Sequence, residues 1–332
     1  MAEMPFINAL LVIPRIRIQN ANAISSSLTW GFPSVTAFLG LMWALERKMV
    51  NFDSNFGIGF NAVGFVCHKF QPQVTPPTAF TRKFFLTRNP VKANGETDSI
   101  VEEGRVHLEV SLIFGIDLPL HLLDNEEERK QEALRISRVF ETMRIAGGTI
   151  IPRSFRLPWI EVLAEDPEKR MLLFRKLRRR LLPGFGLVSR DDLLREHLEE
   201  LRREKADTSL LDAWLDLSRN NLRAVIQEDR SDGKPDDTTW VSSRKERGGW
   251  IVPIPIGYGS LTELKPAGFV ANTRDKTTPV RFVESAYSIG EWIGVHRLSD
   301  VRELLWWGHY DESAGLYCCM NGYRLTKGDS HV

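Results

Sequence analysis

The sequence predicts an α+β protein, and three observations lead to this prediction. The composition is that of a globular domain, since 42% of the 332 residues are hydrophobic and 26% are charged. Apolar and polar residues alternate in several short segments, as in strands, and apolar residues recur at helical spacing elsewhere. Within residues 1–150 these segments follow the order strand, helix, strand, strand, helix. This is the order of a ferredoxin-like, or RNA-recognition-motif, sheet.

The first strand is predicted over residues 8–19. Arg15, Arg17 and Gln19 fall on one face of it, whereas Ile16 and Ile18 fall on the other. The pattern indicates one basic face and one buried face. A helix of about 15 residues follows, because apolar residues recur at helical spacing after Ser34, a suitable N-cap.

Two further strands are predicted over residues 60–71 and 106–112, and the second alternates most clearly. Between them, the aromatic and basic residues of 80–90 indicate a short strand that forms half of an extended hairpin. Asp124 is the predicted N-cap of the next helix, whose first turn carries three glutamates at the positive end of the helix dipole. Gly147 and Gly148 are predicted to end this helix.

The rest of the chain divides by composition. Residues 1–157 form the predicted core with its loop and hairpin, and 158–226 a helical, basic insertion broken at Pro183 and Gly184. Residues 227–249 are polar, and are predicted to be an exposed loop. Residues 250–332 are predicted to be a β-rich part that completes the core, with a last helix from Ser299 to Trp307.

Charge and composition exclude several classes of protein. Forty-four basic residues balance 43 acidic ones, so nucleic acid would have to bind through local patches. Three cysteines form neither a disulfide framework nor a zinc motif. The first ten residues lack the pattern expected of a signal peptide, and no apolar run reaches the roughly 18 residues of a membrane span. We expect a cytoplasmic protein with no metal, no cofactor and no membrane contact.

The segment from Arg15 to Trp30 combines the groups that bind nucleic acid: cations for phosphates, amides for base edges, hydroxyls, and an aromatic ring for stacking. An ordinary loop rich in Asn and Ser is an equally good interpretation. The residues 80–90 repeat the mixture, although Phe84 or Phe85 could be core residues. The candidates are Arg15, Arg17, Gln19, Asn20, Asn22, Ser25, Ser26, Thr29 and Trp30 in the first segment, and Arg82, Lys83 and Arg88 in the second.

A third basic cluster has seven cations in the twelve residues 169–180, with no acid among them. Such a helix face is commonly only a solvated surface. Its density also fits phosphate binding, because no acid at helical spacing compensates the charge.

Catalytic signals are weak. The sequence has no P-loop, no serine-hydrolase elbow and no zinc-protease motif. His68 and His107 lie in predicted strands, where a histidine is more often a polar-face residue than a general base. We therefore predict no catalytic residue.

Several short stretches, in the same order along the chain, resemble one family, the Cas-five-type (Csy two) subunits of the type I-F CRISPR surveillance complex, or Csy complex. They are QNANAISS (19–26), LTWGFP (28–33), TRNP (87–90), IVEEGR (100–105), LLPGF (181–185), PIP (253–255), RFVE (281–284) and GEW (290–292). The resemblance covers roughly residues 10–317.

The resemblance implies a non-catalytic subunit with a modified RNA-recognition-motif fold. It would bind the repeat-derived 5′ handle of the guide RNA (crRNA) and pair with the large subunit that recognises the PAM, beside the backbone filament subunit. The complex binds double-stranded target DNA by guide pairing. The implied handle-binding residues are Arg15, Arg17, Gln19, Asn20, Asn22, Ser25, Ser26, Trp30 and Phe32, with Arg82, Lys83 and Arg88 as a second set and Arg281 as a further candidate.

For the basic helix, we hypothesise that Arg175, Arg178, Arg179 and Arg180 contact phosphates of the target DNA. Two other functions stay open. One is a metal-independent endoribonuclease that processes CRISPR precursor RNA with His68 or His107. The other is a scaffold without RNA contact, which would offer a partner an apolar surface such as Trp306 and Trp307.

Overall fold

A computed structural model describes residues 3–75, 83–84, 94–96, 103–151, 156–220, 222–226, 238–242, 248–273 and 275–323. The helices in these ranges are α1 (Val35–Phe52), α2 (Leu120–Leu123), α3 (Glu126–Glu141), α4 (Pro167–Leu181), α5 (Asp191–Glu204) and α6 (Leu210–Ser218). The strands are β1 (Ala9–Asn22), β2 (Gly59–Pro72), β3 (Arg105–Asp117), β4 (Arg144–Ile145), β5 (Gly148–Ile151), β6 (Trp159–Val162), β7 (Phe185–Ser189), β8 (Leu222–Ile226), β9 (Thr238–Ser242), β10 (Ile251–Ser260), β11 (Val283–Gly294), β12 (Trp306–Asp311) and β13 (Leu316–Asn321).

One large antiparallel sheet organises these elements, so the α+β class is confirmed. Its strands follow the order β12-β13-β10-β11-β7-β2-β3-β1-β5-β4, and β6 pairs with the free part of β1. Strands β8 and β9 form a separate two-stranded sheet. The predicted order strand, helix, strand, strand, helix is confirmed, as β1, α1, β2, β3 and α3.

Strand β1 lies between β3 on one side and β5 and β6 on the other, and its first half is buried on both faces. Leu11 and Ile13 pack with α1 and α3, whereas Leu10 and Val12 face the opposite side and pack with α4. Because successive side chains of a strand point to opposite faces, the run of apolar residues at the start of β1 serves two cores. From Ile16 onward, buried and exposed residues alternate along β1. Only the face that packs with α1 and α3 therefore stays buried in this part of the strand.

The helix ends differ from the sequence prediction in detail. Ser34 precedes α1 as predicted, although its side chain makes no capping hydrogen bond. Asn125, rather than Asp124, caps α3, since its side chain accepts a hydrogen bond from the Glu128 N–H. Gly147 and Gly148 do not end that helix, which stops at Glu141; they make the turn between β4 and β5, where Gly147 has φ +76°.

The segment 158–226 holds α4, α5 and α6, and it also contributes to the sheet. Strand β6 pairs with β1, and β7 lies between β2 and β11. The break at Pro183 and Gly184 therefore leads into a strand before the next helix begins. Of the segment 227–249, the described residues include β9, which pairs with β8.

The predicted helix from Ser299 to Trp307 is wrong. The chain makes two short 3-10 turns, Val295–Arg297 and Val301–Leu304, and then enters β12. Trp306 and Trp307 are both buried, because as neighbours on a strand they point into the two different cores. The Trp306 indole N–H donates to the Leu187 carbonyl at 3.0 Å. These two rings are therefore not a surface for a partner.

Within the described ranges, none of the helices combines the length and apolarity needed to cross a membrane. In the same ranges, no three His, Cys, Asp or Glu side chains converge in a way that could hold a metal ion. The three cysteines are free thiols, and burial raises the pKa of Cys67 to about 12. The cysteine thiols are not part of the site described next.

Candidate nucleic-acid interface

Beyond Ile16, the face of the sheet that points away from α1 carries exposed polar side chains. The register places Arg17 opposite Glu109 and Gln19 opposite Thr149, while Lys69 also lies opposite Glu109. The core on the other face holds Ile16 and Ile18, so these polar groups share one surface. We call it the open sheet face, and its residues are Arg17, Gln19, Lys69, Gln71, His107, Glu109 and Thr149.

Arg15 lies where α4 stops covering the sheet. It sits at a bulge in β1 with φ +52°, and its side chain is only 17% exposed. The guanidinium donates to Glu109 at 3.0 Å and to the Leu182 carbonyl at 2.8 Å. Burial opposes ionisation of Glu109, but hydrogen bonding to Arg15 and the charge of Lys69 outweigh it and lower the pKa of this carboxyl group. Arg15 thus joins the end of α4 to the sheet.

His68 belongs to a hydrogen-bonded chain beneath Arg15. Its Nδ1 lies 2.7 Å from the Pro183 carbonyl, and its Nε2 lies 2.7 Å from the Ser111 hydroxyl. Since a carbonyl only accepts, Nδ1 carries the proton, and Ser111 donates to Nε2 while accepting the Arg15 backbone N–H at 3.0 Å. Burial lowers the pKa of His68 to about 4. Both ring nitrogens are therefore used within the fold.

Asn20 ends the regular part of β1 with φ +59°, a conformation that asparagine tolerates better than most residues. Its backbone N–H donates to Nδ1 of His107 at 3.2 Å, and its side-chain oxygen accepts from Gln73. The Arg105 guanidinium lies 3.4 Å from the Asn20 carbonyl. Asn20 and His107 are thus fixed at the edge of the open sheet face.

The loop after β1 is closed by its own polar side chains. Ile24 and Trp30 pair across its base, and the Ser26 hydroxyl accepts the N–H groups of Leu28 and Thr29. The Ser25 hydroxyl lies 2.7 Å from that of buried Thr29. Serine and threonine here shape the loop, so much of the predicted polar segment is structural.

Trp30 stands out from this loop. It is 60% exposed, and its ring meets Phe84 edge to face with 5.4 Å between the centroids. One contact orients the ring without covering it. Lys83, beside Phe84, has an exposed side chain, so the described part of the second predicted set lies next to the loop. Arg82 and Arg88 of that set lie outside the described residues.

A cleft of about 440 Å³ separates the loop from the start of α1. Two of the predicted residues line it, Asn22 and Ser25. The Asn22 amide is held by the N–H and carbonyl of Ile24, at 2.9 and 2.8 Å. We call this feature the loop cleft, and its lining residues are Asn22, Ile24, Ser25, Pro33, Ser34, Ala37, Glu103, Arg105, Ala146 and Gly147.

Two predicted residues lie apart from these surfaces. Phe32 packs in the core, with ring centroids 5.5 Å from Phe38 and 4.9 Å from Trp292. Arg281 donates to the hydroxyl groups of Ser260 and Tyr310, at 3.0 and 2.9 Å. Those partners belong to β10 and β12. The hydrogen bonds of Arg281 therefore join it to these two strands rather than to the loop after β1.

The basic cluster on α4 divides into two kinds of cation. Arg178 donates to the carbonyls of His296 and Leu298, at 3.3 and 3.2 Å, and Arg180 lies over Trp159, 3.8 Å from the ring centroid. Arg175 and Arg179 are exposed one helical turn apart, and within the described ranges no carboxylate lies within ion-pair distance of them. The second pair has the freedom to meet an external phosphate.

Sequence reasoning missed several residues of these surfaces, among them Lys69, Gln71, Glu103 and Arg105. Lys69 and Gln71 lie in a strand that was assigned from its buried residues, and their outward alternation was the available signal. Glu103 and Arg105 lie in the stretch IVEEGR, which was noted only for its resemblance. They reach the loop cleft because β3 begins opposite Asn22, the last residue of β1.

Comparison with known proteins identifies the family of this chain. The model of a family described as CRISPR-associated protein (Cas_Csy2) matches residues 11–319, a span that includes the open sheet face, the loop cleft and α4. A relative from Pseudomonas aeruginosa (strain UCBPP-PA14), described as CRISPR-associated protein Csy2, is 44% identical over 316 residues, which cover 93% of this chain and 94% of the relative. The chain therefore belongs to the Csy2 family of CRISPR-associated proteins and is a subunit of a type I-F CRISPR complex.

Proposed function

We propose that this chain is the non-catalytic subunit that holds the 5′ handle of the guide RNA. One observation carries the proposal. The second half of β1 and the loop that follows it carry an exposed cation and amide (Arg17 and Gln19), an exposed indole (Trp30) and a cleft with a few polar groups in its walls. Phosphate, base edge and base face each find a matching group there. Membership in a family of CRISPR-complex subunits supports this function.

We further propose that the middle of the sheet is a modified RNA-recognition-motif core. The strand order β5-β1-β3-β2, with α1 and α3 packed on one face, supports this assignment. In such cores, single-stranded RNA commonly lies on the face that no helix covers. The open sheet face is the corresponding surface here, although α4 covers the neighbouring half of it.

Each of the exposed residues would then contact a different part of the RNA, according to its chemistry. Arg17 and Lys69 are cations on the open sheet face and suit phosphates. Gln19 presents an exposed amide for a base edge, and Trp30 presents a ring on which a base can stack. Arg15 contributes indirectly, because it holds the end of α4 against the sheet.

The partners follow from the same proposal. Handle binding would place this chain at one end of a cytoplasmic complex, paired with the large PAM-recognising subunit and beside the first backbone filament subunit. Arg175 and Arg179 would contact the phosphates of double-stranded target DNA, since their exposure and lack of a nearby carboxylate in the described ranges support that role.

A guide-processing endoribonuclease is the competing function. It would need a histidine that exchanges protons with RNA, and His68 has both nitrogens engaged within the fold. Incubation of repeat RNA with the purified chain in EDTA tests it directly. We expect no cleavage. Cleavage that His68→Ala or His107→Ala abolishes would replace our proposal.

Handle binding is tested with fluorescently labelled handle RNA and the chain co-purified with its large-subunit partner. Trp30→Ala combined with Gln19→Ala should weaken binding at least tenfold, because it removes one stacking and one base-edge contact, worth about 1–3 kcal/mol each. Trp240→Ala is the matched control, since Trp240 is a similarly exposed tryptophan on β9. Equal affinity in both variants and wild type would contradict the proposal.

A further inference from the structure

The loop cleft has a chemistry of its own, distinct from the open sheet face. We propose that it holds a single unpaired nucleobase that carries an exocyclic amino group. This inference rests on the proposed RNA-binding function and specifies which part of the RNA enters the protein.

The size of the cleft suits one nucleoside. Its volume of about 440 Å³ lies near the lower end of the range for small-molecule sites, roughly 300–1,000 Å³. A base pair or a duplex would not enter such a space. An unstacked base from a single strand would, and bases of single-stranded RNA are commonly splayed out in this way.

The walls match the faces of a planar ring. Ile24, Pro33, Ala37 and Ala146 contribute apolar surface, and Gly147 adds a stretch of wall without a side chain. Its φ of +76° is one that glycine adopts readily. Apolar walls around a few placed polar groups are typical of sites that bind a heteroaromatic ring.

The polar groups select the kind of ligand. Glu103 brings a carboxylate to the lining, where Arg105 pairs with it. A carboxylate repels a phosphate, so the cleft is not a phosphate site in spite of Arg105. A carboxylate does accept hydrogen bonds from amino groups, as when Glu or Asp pairs with N4 of cytosine. Uracil offers no amino group and should bind less well.

The lining is fixed before any ligand binds. The Asn22 amide is tied to the backbone of Ile24, and the Ser25 hydroxyl is bonded within its own loop. The Arg105 guanidinium bridges Glu103 and the Asn20 carbonyl. Because these groups are already ordered, binding would cost little further side-chain entropy.

The test uses handle RNA oligonucleotides in which each position in turn carries cytosine, adenine, guanine or uracil, bound to the chain co-purified with its partner subunit. Ala37→Leu fills the cleft without removing a polar group. We expect it to weaken binding of the natural handle at least tenfold. Gly40→Leu is the control, because Gly40 lies on the same helix with no atom within 4 Å of an added Cβ, and it should bind as wild type does.

Glu103→Gln tests the choice of base. In wild type, uracil at one handle position should bind about tenfold more weakly than a base with an amino group, and Glu103→Gln should abolish this preference at that position only. If Ala37→Leu and Glu103→Gln both bind all oligonucleotides as wild type does, while the Trp30 and Gln19 double variant does not, the cleft inference is wrong and handle binding stands. If wild type binds no handle RNA, the proposed function itself fails.

Discussion

His68 shows how a residue singled out for possible catalysis can be explained by the fold alone. Its two nitrogens complete a chain from the Arg15 N–H through Ser111 to the Pro183 carbonyl. The neutral ring, protonated at Nδ1, satisfies this chain, and burial is the main cause of its low pKa, about 4. The pKa predicts a dependence of stability on pH.

In the unfolded chain His68 has an ordinary pKa of about 6.5, so between about pH 6.5 and pH 4 the unfolded state binds a proton that the folded state does not. The free energy of unfolding should therefore fall as the pH is lowered through this window. Urea unfolding at pH 7 and at pH 5 measures this loss. His68→Gln, which does not titrate, should lose less between the two pH values; an equal loss in both proteins would contradict the assignment.

Arg15 and Trp30 were both predicted to bind RNA, yet they differ in what they do for the fold. Arg15→Ala would leave Glu109 and the Leu182 carbonyl without this partner in a partly buried place. We expect it to lower the free energy of unfolding by roughly 2–4 kcal/mol. Trp30→Ala should lower it by no more than about 1 kcal/mol, because the ring is mainly exposed.

Urea unfolding of the two variants tests this difference. Similar loss of stability in both would show that Arg15 is not a structural residue. The comparison also guides RNA experiments, since RNA lost from Arg15→Ala would report on the fold as much as on a contact. Arg17, which is exposed one strand position beyond Ile16, is the better cation to replace.

At the scale of the element, α4 carries two kinds of arginine on one helix. Arg178 and Arg180 attach it to the body through carbonyl groups and a tryptophan ring, whereas Arg175 and Arg179 point to solvent. Replacing Arg175 and Arg179 together by alanine should reduce the slope of log K against log salt for target DNA by about 2, since each phosphate contact contributes about 0.9.

The salt series is measured by DNA binding of the assembled complex, and the guide RNA content of each preparation is quantified. Arg203→Ala on α5 is a control, because Arg203 is exposed on another helix. The guide RNA content should not change in either variant. An unchanged slope in the double variant would leave α4 as a solvated surface only.

Strand pairing sets another requirement at this scale. Gly257 lies at a bulge in β10 where it pairs with Cys318 of β13, and a Cβ there would overlap the Tyr317 carbonyl. Gly257→Ala should therefore destabilise the fold by a few kcal/mol, about 2–4, because backbone must move. Gly259→Ala, two residues along the same strand, meets no atom closer than 4.0 Å and should be tolerated. Thermal unfolding of the two variants measures this difference in stability. Equal unfolding midpoints would contradict the close approach of Gly257 to the Tyr317 carbonyl.

Elements in which at least part of the length has a single buried face were predictable from the sequence. Alternation located β1, β2 and β3, and helical spacing located α1, since in each the buried face sets a clear period. The region around Trp306 was mistaken for a helix because Trp306 and Trp307, at the start of β12, are buried on opposite faces, and a short apolar run has no period of its own. Strand β7, which follows the break at Pro183 and Gly184, was missed for the same reason, because most of its residues are buried and show no alternation.

The candidate site was predictable only in part. The loop from Asn22 to Trp30 is local in sequence, so its composition was enough to identify it. The loop cleft also needs Glu103 and Arg105, which reach it only through the pairing of β1 with β3. Composition could not tell which polar residues shape the loop, as Ser26 does, and which face solvent.

At the scale of the whole molecule, one large sheet joins the parts that the sequence suggested were separate. The segments 158–226 and 250–332 each add strands to the sheet that contains β1. As a result, α4 and the predicted handle surface are held by the same strands, with Arg15 linking the end of α4 to β1. A subunit that holds guide RNA beside target DNA needs such a fixed relation between its two surfaces.

The most direct test of handle binding is to co-express this chain with its neighbouring CRISPR subunits and a CRISPR array, purify through a tag on it, and sequence the bound RNA. Our account predicts discrete guide RNAs that share one 5′ handle, and predicts their loss when Arg17, Gln19 and Trp30 are together replaced by alanine in a chain that still folds. Random RNA, no RNA, or the same guides retained by the triple variant would contradict it.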